Sequence, residues 1–245
     1  MTDSPRPLRV KQMQPRDISA TLRRDARLLL PVGTCESHGP HLPLGCDTII
    51  IDRIVDDLSA ELGILRAPTF EYGVNVPHEV ASPGSAGLRR KSLLRALNDL
   101  IDAWEAGGVK EFVLVTANGH DAHVEALSTV ITTAARVQVV DVLGVVMPEA
   151  TDSPMGALHG DEIDTSLMLY LCPELVEMAL AEDFPLPSSS GIRRMKRDNL
   201  KVTRESPGSM GIPSKASAAK GEAIYKRIKK LIRDKVLLAP PDPEE

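Results

Sequence analysis

The chain has 245 residues, 42% of them hydrophobic, with 29 Lys and Arg against 34 Asp and Glu for a formal net charge of −5. This length and apolar share are enough for one large α/β domain. The interspersed charge lacks the basic stripe that phosphate backbones require, which excludes nucleic acid as an expected partner.

The N-terminal stretch MTDSPRPLRVKQMQPRD is polar and broken by proline, unlike a signal peptide. No run along the chain approaches the roughly 18 to 20 apolar residues of a bilayer span, so no membrane partner is expected. Residues 27–33, RLLLPVG, predict a buried strand stopped by Pro31 and Gly33, and the loop beyond carries Glu36 and His38. From Thr48 to about Leu62, apolar residues recur at helical spacing, and Asp47 or Thr48 can cap the first turn. Leu65–Phe70 reads as a second strand, and YGVNVPHEVASPGSAG (72–87) as an irregular loop long enough to be functional. An amphipathic helix is predicted over 91–106, closed by Gly107 and Gly108.

FVLVT (112–116) is a continuous apolar and β-branched run, the mark of a parallel strand buried on both faces. It ends in Ala117-Asn118-Gly119-His120. A helix over 123–137 and a strand over 137–147 follow, then a helix that begins near Asp161 or Glu162. Residues 183–214 are rich in Pro, Ser, Gly, Arg and Lys, which predicts a mobile excursion or an oligomer contact. A last helix spans 216–238. Strand and helix in alternation imply right-handed crossovers and a mostly parallel sheet covered by helices, in a single domain of residues 1–245 with peripheral tails at about 1–20 and 236–245. Cys35, Cys46 and Cys172 are odd in number and show no CxxC spacing, which argues against disulfides and suits a reducing cytoplasm.

Glu36, His38, Asp47, His120 and Glu162 fall just after predicted strands or at helix starts, where open parallel sheets bind ligands. Imidazole with carboxylate suits zinc, manganese or iron(II). Asp47 is the candidate to bridge two cations. Plainer readings stand beside these: Asp47 as an N-cap, His120 as a helix cap, Glu162 as a complement to its helix dipole. The glycines and prolines around Glu36 and His38 favour a loop built to place side chains. His159, three residues before Glu162, strengthens the case for a site.

The string LLLPVGTCESHGPHLPLGCDT resembles the creatininase family's LPVGSxEQHGPHLPLGTD signature almost position for position. FVLVTANGH resembles its strand leading to NGHGGN, LHGDEIDTS its HAGExETS, and SPGSMGIPSKASAAKG its closing GxxGDPxxAxxEKG, in the same order from about Leu28 to Ile232. The resemblance implies a layered α/β/α fold, a homo-hexamer and two divalent ions per subunit, zinc first, with manganese or iron as alternatives. It implies that Glu36 and His120 bind one metal and His38 and Glu162 the other, with Asp47 shared. A water activated by the metals attacks the amide carbon of a small molecule, and His159 passes a proton to the leaving nitrogen. Glu162 is thus both ligand and part of the catalytic pair with His159.

Two departures bear on function. NGHDAH replaces NGHGGN, which puts Asp121 and His123 at a helix start as outer partners, extra ligands or, the reading preferred here, exposed surface residues. The 72–87 loop is spaced differently from the family's, which leaves His78 without a role, and no pocket aromatic is evident, since Trp104 sits mid-helix. His41 reads as structural. Creatinine is the conventional substrate, while the family also holds a formamide hydrolase and a peptidase that trims a redox-peptide precursor. A catalytically lapsed binding or assembly module is the alternative from another class. No GxGxxG follows a strand, which argues against a dinucleotide-binding protein.

Overall fold

The computed structural model describes residues 5–144, 157–186 and 201–239. Five strands, β1 (Leu8–Arg9), β2 (Arg27–Pro31), β3 (Leu65–Arg66), β4 (Glu111–Thr116) and β5 (Arg136–Asp141), make one parallel sheet in the order β1-β3-β2-β4-β5. The central register runs from Arg27 opposite Glu111 to Pro31 opposite Val115. Successive side chains on a strand point to opposite faces. Leu28, Leu30, Phe112 and Leu114 accordingly join one core, and Leu29, Val113 and Val115 the other, with none of the seven more than 1% exposed. Burial on both faces is why these strands read as unbroken apolar runs.

Six α-helices among the described residues cover the sheet. On one face lie α1 (Pro15–Arg24), α3 (Arg90–Ala106) and α4 (Asp121–Ser128), packed through Ile18 and Leu22, Leu93, Leu97 and Ile101, and Ala126 and Leu127. Trp104 packs on this side too. The other face holds α2 (Cys46–Leu62), α5 (Glu162–Leu171) and α6 (Ala218–Ile232), seated by Ile50, Ile54, Leu58, Ile163, Leu167 and Ile228. This is the three-layer α/β/α sandwich with a parallel sheet that the strand and helix alternation predicts.

Several elements differ from expectation. Residues 8–20, expected to belong to a peripheral tail, contribute an edge strand and most of a helix: Leu8 N donates to Ser59 Oγ on α2 at 2.9 Å, and Pro15 opens α1 where its missing N–H costs nothing. At the other end Leu237 is buried and its carbonyl accepts from Arg27 Nη1 at 2.5 Å, so a tail cannot start at 236. The strand expected over 65–70 is two residues long and rejoins the sheet only at Phe70, in a bridge to Val32. The helix expected over 123–137 stops at Ser128, because the β-branched run Thr129 to Thr133 lowers helix propensity and Glu105 takes up the backbone N–H groups of Thr133, Ala134 and Ala135 at 2.9, 2.6 and 2.8 Å. The strand expected over 137–147 ends at Asp141, and its last expected residues, like 187–200 of the expected excursion, lie outside the described residues.

Candidate functional site

The segment after β2 is fixed before it presents any chemistry. Val32 N donates to Val115 O, Gly33 N to Phe70 O, and Glu36 N closes the loop on Leu44 O at 2.9 Å. Gly33 must be glycine, since a Cβ there would lie 2.1 Å from Thr48 Oγ1 at the start of α2. That close approach lets Thr48 Oγ1 donate to Thr34 O at 3.1 Å and Thr34 Oγ1 donate to Asp47 Oδ2 at 2.7 Å. Asp47 lies in the first turn of α2, and its N-cap is Gly45, with no side-chain capping bond.

Asp47 Oδ1 stands 3.2 Å from His38 Nε2. The other ring nitrogen, His38 Nδ1, is 3.1 Å from Glu36 O. A carbonyl only accepts, so Nδ1 carries a proton and Nε2 is the atom turned to the carboxylate. Burial alone would push the His38 imidazolium down, but Asp47, with Asp164 and Glu36 behind it, overrides this and raises its pKa to about 10. Burial works against ionised Asp47 too, yet His38 holds that carboxyl far below its usual range.

The β4 end supplies the second segment. Asn118 N donates to Thr116 Oγ1 at 3.1 Å, Asn118 Nδ2 donates to Glu36 Oε2 at 3.0 Å, and Asn118 Oδ1 accepts from His120 N at 2.9 Å. His120 thereby becomes the N-cap of α4. The third segment is the start of α5. Its N-cap is Asp161, whose Oδ1 accepts from Ile163 N at 2.8 Å. His159 Nε2 donates to Ser37 O at 2.7 Å, and its ring stacks on that of His38 with centroids 4.3 Å apart. Burial, then the charge of His38, drives the His159 pKa well below its ordinary value. The ring is neutral, and with the proton on Nε2 its Nδ1 is a bare acceptor.

Glu162 and Asp164 go different ways. Two residues apart on a helix means about 200° of rotation, so only one of them can face the sheet's carboxyl end. Glu162 faces α6, where Lys220 Nζ lies 2.5 Å from its Oε1 and also donates to Lys215 O at 2.9 Å. Asp164 faces the cavity. Its Oδ2 accepts from Gly160 N at 2.9 Å, and its buried Oδ1 has no hydrogen-bond partner. Burial, opposed by His38, raises Asp164 to about 7.

The cavity has a volume of about 100 Å³, and His38, Asp47, His120, His159 and Asp164 line it together. Asn118 and Asp141 also border it, and Val76, Leu143, Leu158 and Met210 form its apolar wall. Of the residues expected at the site, His38, Asp47, His120 and His159 line it, Glu36 lies behind its border, bound to Val76 N and Asn118 Nδ2, and Glu162 is turned away. Asp164, Asn118 and Asp141, which no motif singles out, also border the cavity. His41 is held by Thr165, with its Nε2 2.9 Å from that hydroxyl, in keeping with a structural role. His78 Nε2 lies 3.5 Å from Glu36 Oε1.

The donor set fits divalent cations. Glu36, Asp47 and Asp164 are all buried, at 0%, 1% and 2% exposure, a concentration of acid that needs compensating charge. His38 donates its second nitrogen to a carbonyl, the arrangement that orients metal-binding imidazoles. Asp164 Oδ1 and His120 Nδ1 are buried and have no partner. Among the described residues, two groups of three side chains bring their donor atoms within 4.8 Å of one another, namely Glu36, His78 and His159, and His38, Cys46 and Asp47.

His123 corrects the expectation of a surface residue: it is fully buried in α4, because three residues beyond the N-cap the helix turns its side chain inward against β4. Burial lowers its pKa to about 4. The unfolded chain therefore binds a proton first as pH falls through about 6.5, so this contribution to stability is complete above about pH 6.5 and is lost between about 6.5 and 4. Urea unfolding at a series of pH values should show that fall, and His123→Asn should make it shallower, leaving the share of His41 and His159, which burial also lowers.

A parallel sheet covered on both faces, with buried imidazoles and carboxylates gathered beyond the carboxyl ends of β2 and β4, defines the class: an α/β protein with a donor cluster where such folds bind ligands. The chain belongs to the creatininase family of hydrolases, since the family's sequence profile, described as creatinine amidohydrolase, matches residues 11–236. It is 28% identical over 88% of its length to a mycofactocin precursor peptide peptidase of Mycolicibacterium smegmatis, covering 86% of that protein. It is 26% identical to a creatinine amidohydrolase of Pseudomonas putida, over 82% of this chain and 84% of that one. A 3-dehydro-scyllo-inosose hydrolase of Thermotoga maritima is 23% identical, over 70% of this chain and 58% of its own. Two solved creatininase structures, a mutant of zinc–zinc type and a manganese form, superpose with TM-scores of 0.79 and 0.78 at 23% identity, each over 96% of this chain and 99% and 100% of theirs; this likeness establishes the fold.

Proposed function

We propose that this chain is a metal-dependent amidohydrolase that hydrolyses a carbon–nitrogen bond of an amide. The observation that carries the reading is the convergence of His38, Asp47, His120 and Asp164, from three separate stretches of chain, on one small cavity. Glu36, His38, Asp47, His120 and Asp164 would hold a pair of divalent cations, with Asp47 shared and Asp164 taking the place that the family resemblance gave to Glu162. Such cations supply Lewis acidity and lower the pKa of water toward neutrality. Zinc and manganese, the ions named for the superposed creatininases, both suit imidazole with carboxylate.

The protein's own groups do the rest. Val76 N and Asn118 Nδ2 each occupy one oxygen of Glu36, at 2.6 and 3.0 Å, and fix its orientation. His159, neutral and anchored through Nε2 to Ser37 O, is placed to take a proton at Nδ1 and deliver it to the departing nitrogen. The apolar wall of Val76, Leu158 and Met210 limits water around the scissile bond. The cavity admits an amide head of a few atoms, which fits the end of a peptide or a small cyclic or N-formyl amide. The same reading carries a homo-hexamer in the cytoplasm. The three cysteines are free, in keeping with a reducing compartment, and among the described residues no helix is long and apolar enough to cross a membrane.

The test is turnover on a panel of peptide amides, cyclic amides including creatinine, and N-formyl amines, with a cyclic 1,3-diketone as a non-amide control. We expect turnover of at least one amide, abolished by chelation and by Glu36→Ala or His120→Ala. No turnover of any amide, or turnover of the diketone alone, would refute amide hydrolysis.

A further inference from the structure

His123 takes no part in the chemistry proposed above, yet its ring lies between two stretches of chain that both hold Glu36. Val74 N donates to His123 Nδ1 at 3.0 Å. A backbone N–H only donates, so Nδ1 is unprotonated and the neutral ring carries its proton on Nε2, which stands 3.0 Å from Thr116 Oγ1. That same hydroxyl accepts from Asn118 N at 3.1 Å, and Asn118 Nδ2 donates to Glu36 Oε2. On the other side, two residues beyond Val74, Val76 N donates to Glu36 Oε1 at 2.6 Å. The ring therefore connects β4 to the 73–78 segment, and each side continues to one oxygen of the same carboxylate.

The packing around the ring leaves no slack. A Cβ on Gly73 would lie 2.5 Å from His123 Cε1 and 2.6 Å from Gly33 O, so the backbone passes directly over the imidazole and only glycine permits it. Farther along, Asn75 Nδ2 donates to Cys35 O at 3.1 Å, Glu79 N donates to Val202 O at 3.0 Å, and His78 stands 3.5 Å from Glu36. Between Val74 and Val76 the segment crosses the cavity wall to which Val76 contributes.

We propose that His123 is a positioning residue that fixes the 73–78 segment to β4 and thereby sets the orientation of the Glu36 carboxylate and the place of the Val76 wall. The part of this that concerns Glu36 as a ligand rests on the metal-centre reading. The part that concerns the segment does not.

The experiment is amide hydrogen exchange resolved to single residues, together with zinc affinity by chelator competition, on wild type, His123→Ala, His123→Asn and Thr116→Val. In His123→Ala, exchange at Val74 and Val76 should rise about tenfold or more while Val113 and Val115 in β4 keep their protection. Zinc affinity should fall about 10- to 100-fold, the usual effect of removing a group that orients a ligand. His123→Asn, which retains an acceptor near the Nδ1 position, should restore most of the protection at Val74, as should free imidazole added to the alanine variant. Thr116→Val, which removes the anchor on β4 together with the acceptor of Asn118 N, should give the same acceleration at Val74, a residue Asn118 does not hold, and it decides the matter if the alanine variant does not fold. Unchanged exchange at Val74 and Val76, acceleration spread equally into β4, or accelerated exchange with unaltered zinc affinity would each overturn the proposal. If wild type itself binds no zinc, the metal-centre reading fails and the exchange pattern alone decides the role of His123.

Discussion

Asparagine in place of Asp164 should cost the protein bound metal and about 100-fold or more in turnover, whereas glutamine in place of Glu162 should leave metal content unchanged. Both residues are acidic, buried and in the first turn of α5, so their place relative to the helix dipole is alike. What separates them is direction: Asp164 borders the cavity with an unpartnered Oδ1, and Glu162 meets Lys220 on α6. Glu162→Gln leaves the Lys220 ammonium without its carboxylate. That side chain is 32% exposed, so water offsets part of the loss, and a cost of about 1–2 kcal/mol is expected. Metal content by mass spectrometry and unfolding midpoints separate the two effects. Loss of metal in Glu162→Gln with retention in Asp164→Asn would reverse the assignment.

Gly221→Ala should destabilise the fold by about 3 kcal/mol or more. A Cβ at this position in α6 would lie 1.8 Å from Ser166 O and 2.5 Å from Ser166 C, both backbone atoms of α5. Backbone cannot swing aside as a side chain can, so the two helices must separate and give up packing along their contact, which includes the rings of Tyr170 and Tyr225, with centroids 5.6 Å apart. A loss of that size lowers the midpoint of thermal unfolding by roughly 6–12 °C in a chain of this length. Gly45→Ala is the control, since the nearest atom to a Cβ there is Ile49 Cδ1 at 3.9 Å, and the change should stay at about 1 kcal/mol or less, the cost of alanine at the N-cap of α2. Equal midpoints for the two variants would show that α5 and α6 are not in this close contact.

The positions of Glu36, His38 and His120 just past strand ends, where a parallel sheet binds ligands, are legible because LLLPVG and FVLVT announce those ends by composition alone. Choosing between Glu162 and Asp164 needed more than position in a motif. HGDEID contains an N-cap aspartate followed by acids on opposite helix faces, and nothing local says which face meets the sheet. The burial of His123 is not legible for a related reason: a polar residue at a helix start usually faces water, and this ring's place depends on Gly73, fifty residues away, leaving room for it. β1 was hidden because a two-residue edge strand has no periodicity to read. The overlong helix after His120 came from apolar spacing that continued through Val130 and Ile131, while the β-branched threonines beside them and the distant Glu105 carboxylate favoured an open turn.

Stoichiometric metal is the most direct measure of the account. Wild-type protein stripped with a chelator, reconstituted with zinc and passed through gel filtration should retain about two ions per chain, and Asp47→Ala should retain fewer than one. Wild type that emerges with no stoichiometric zinc, and equally none after reconstitution with manganese or iron, would contradict the account at its centre.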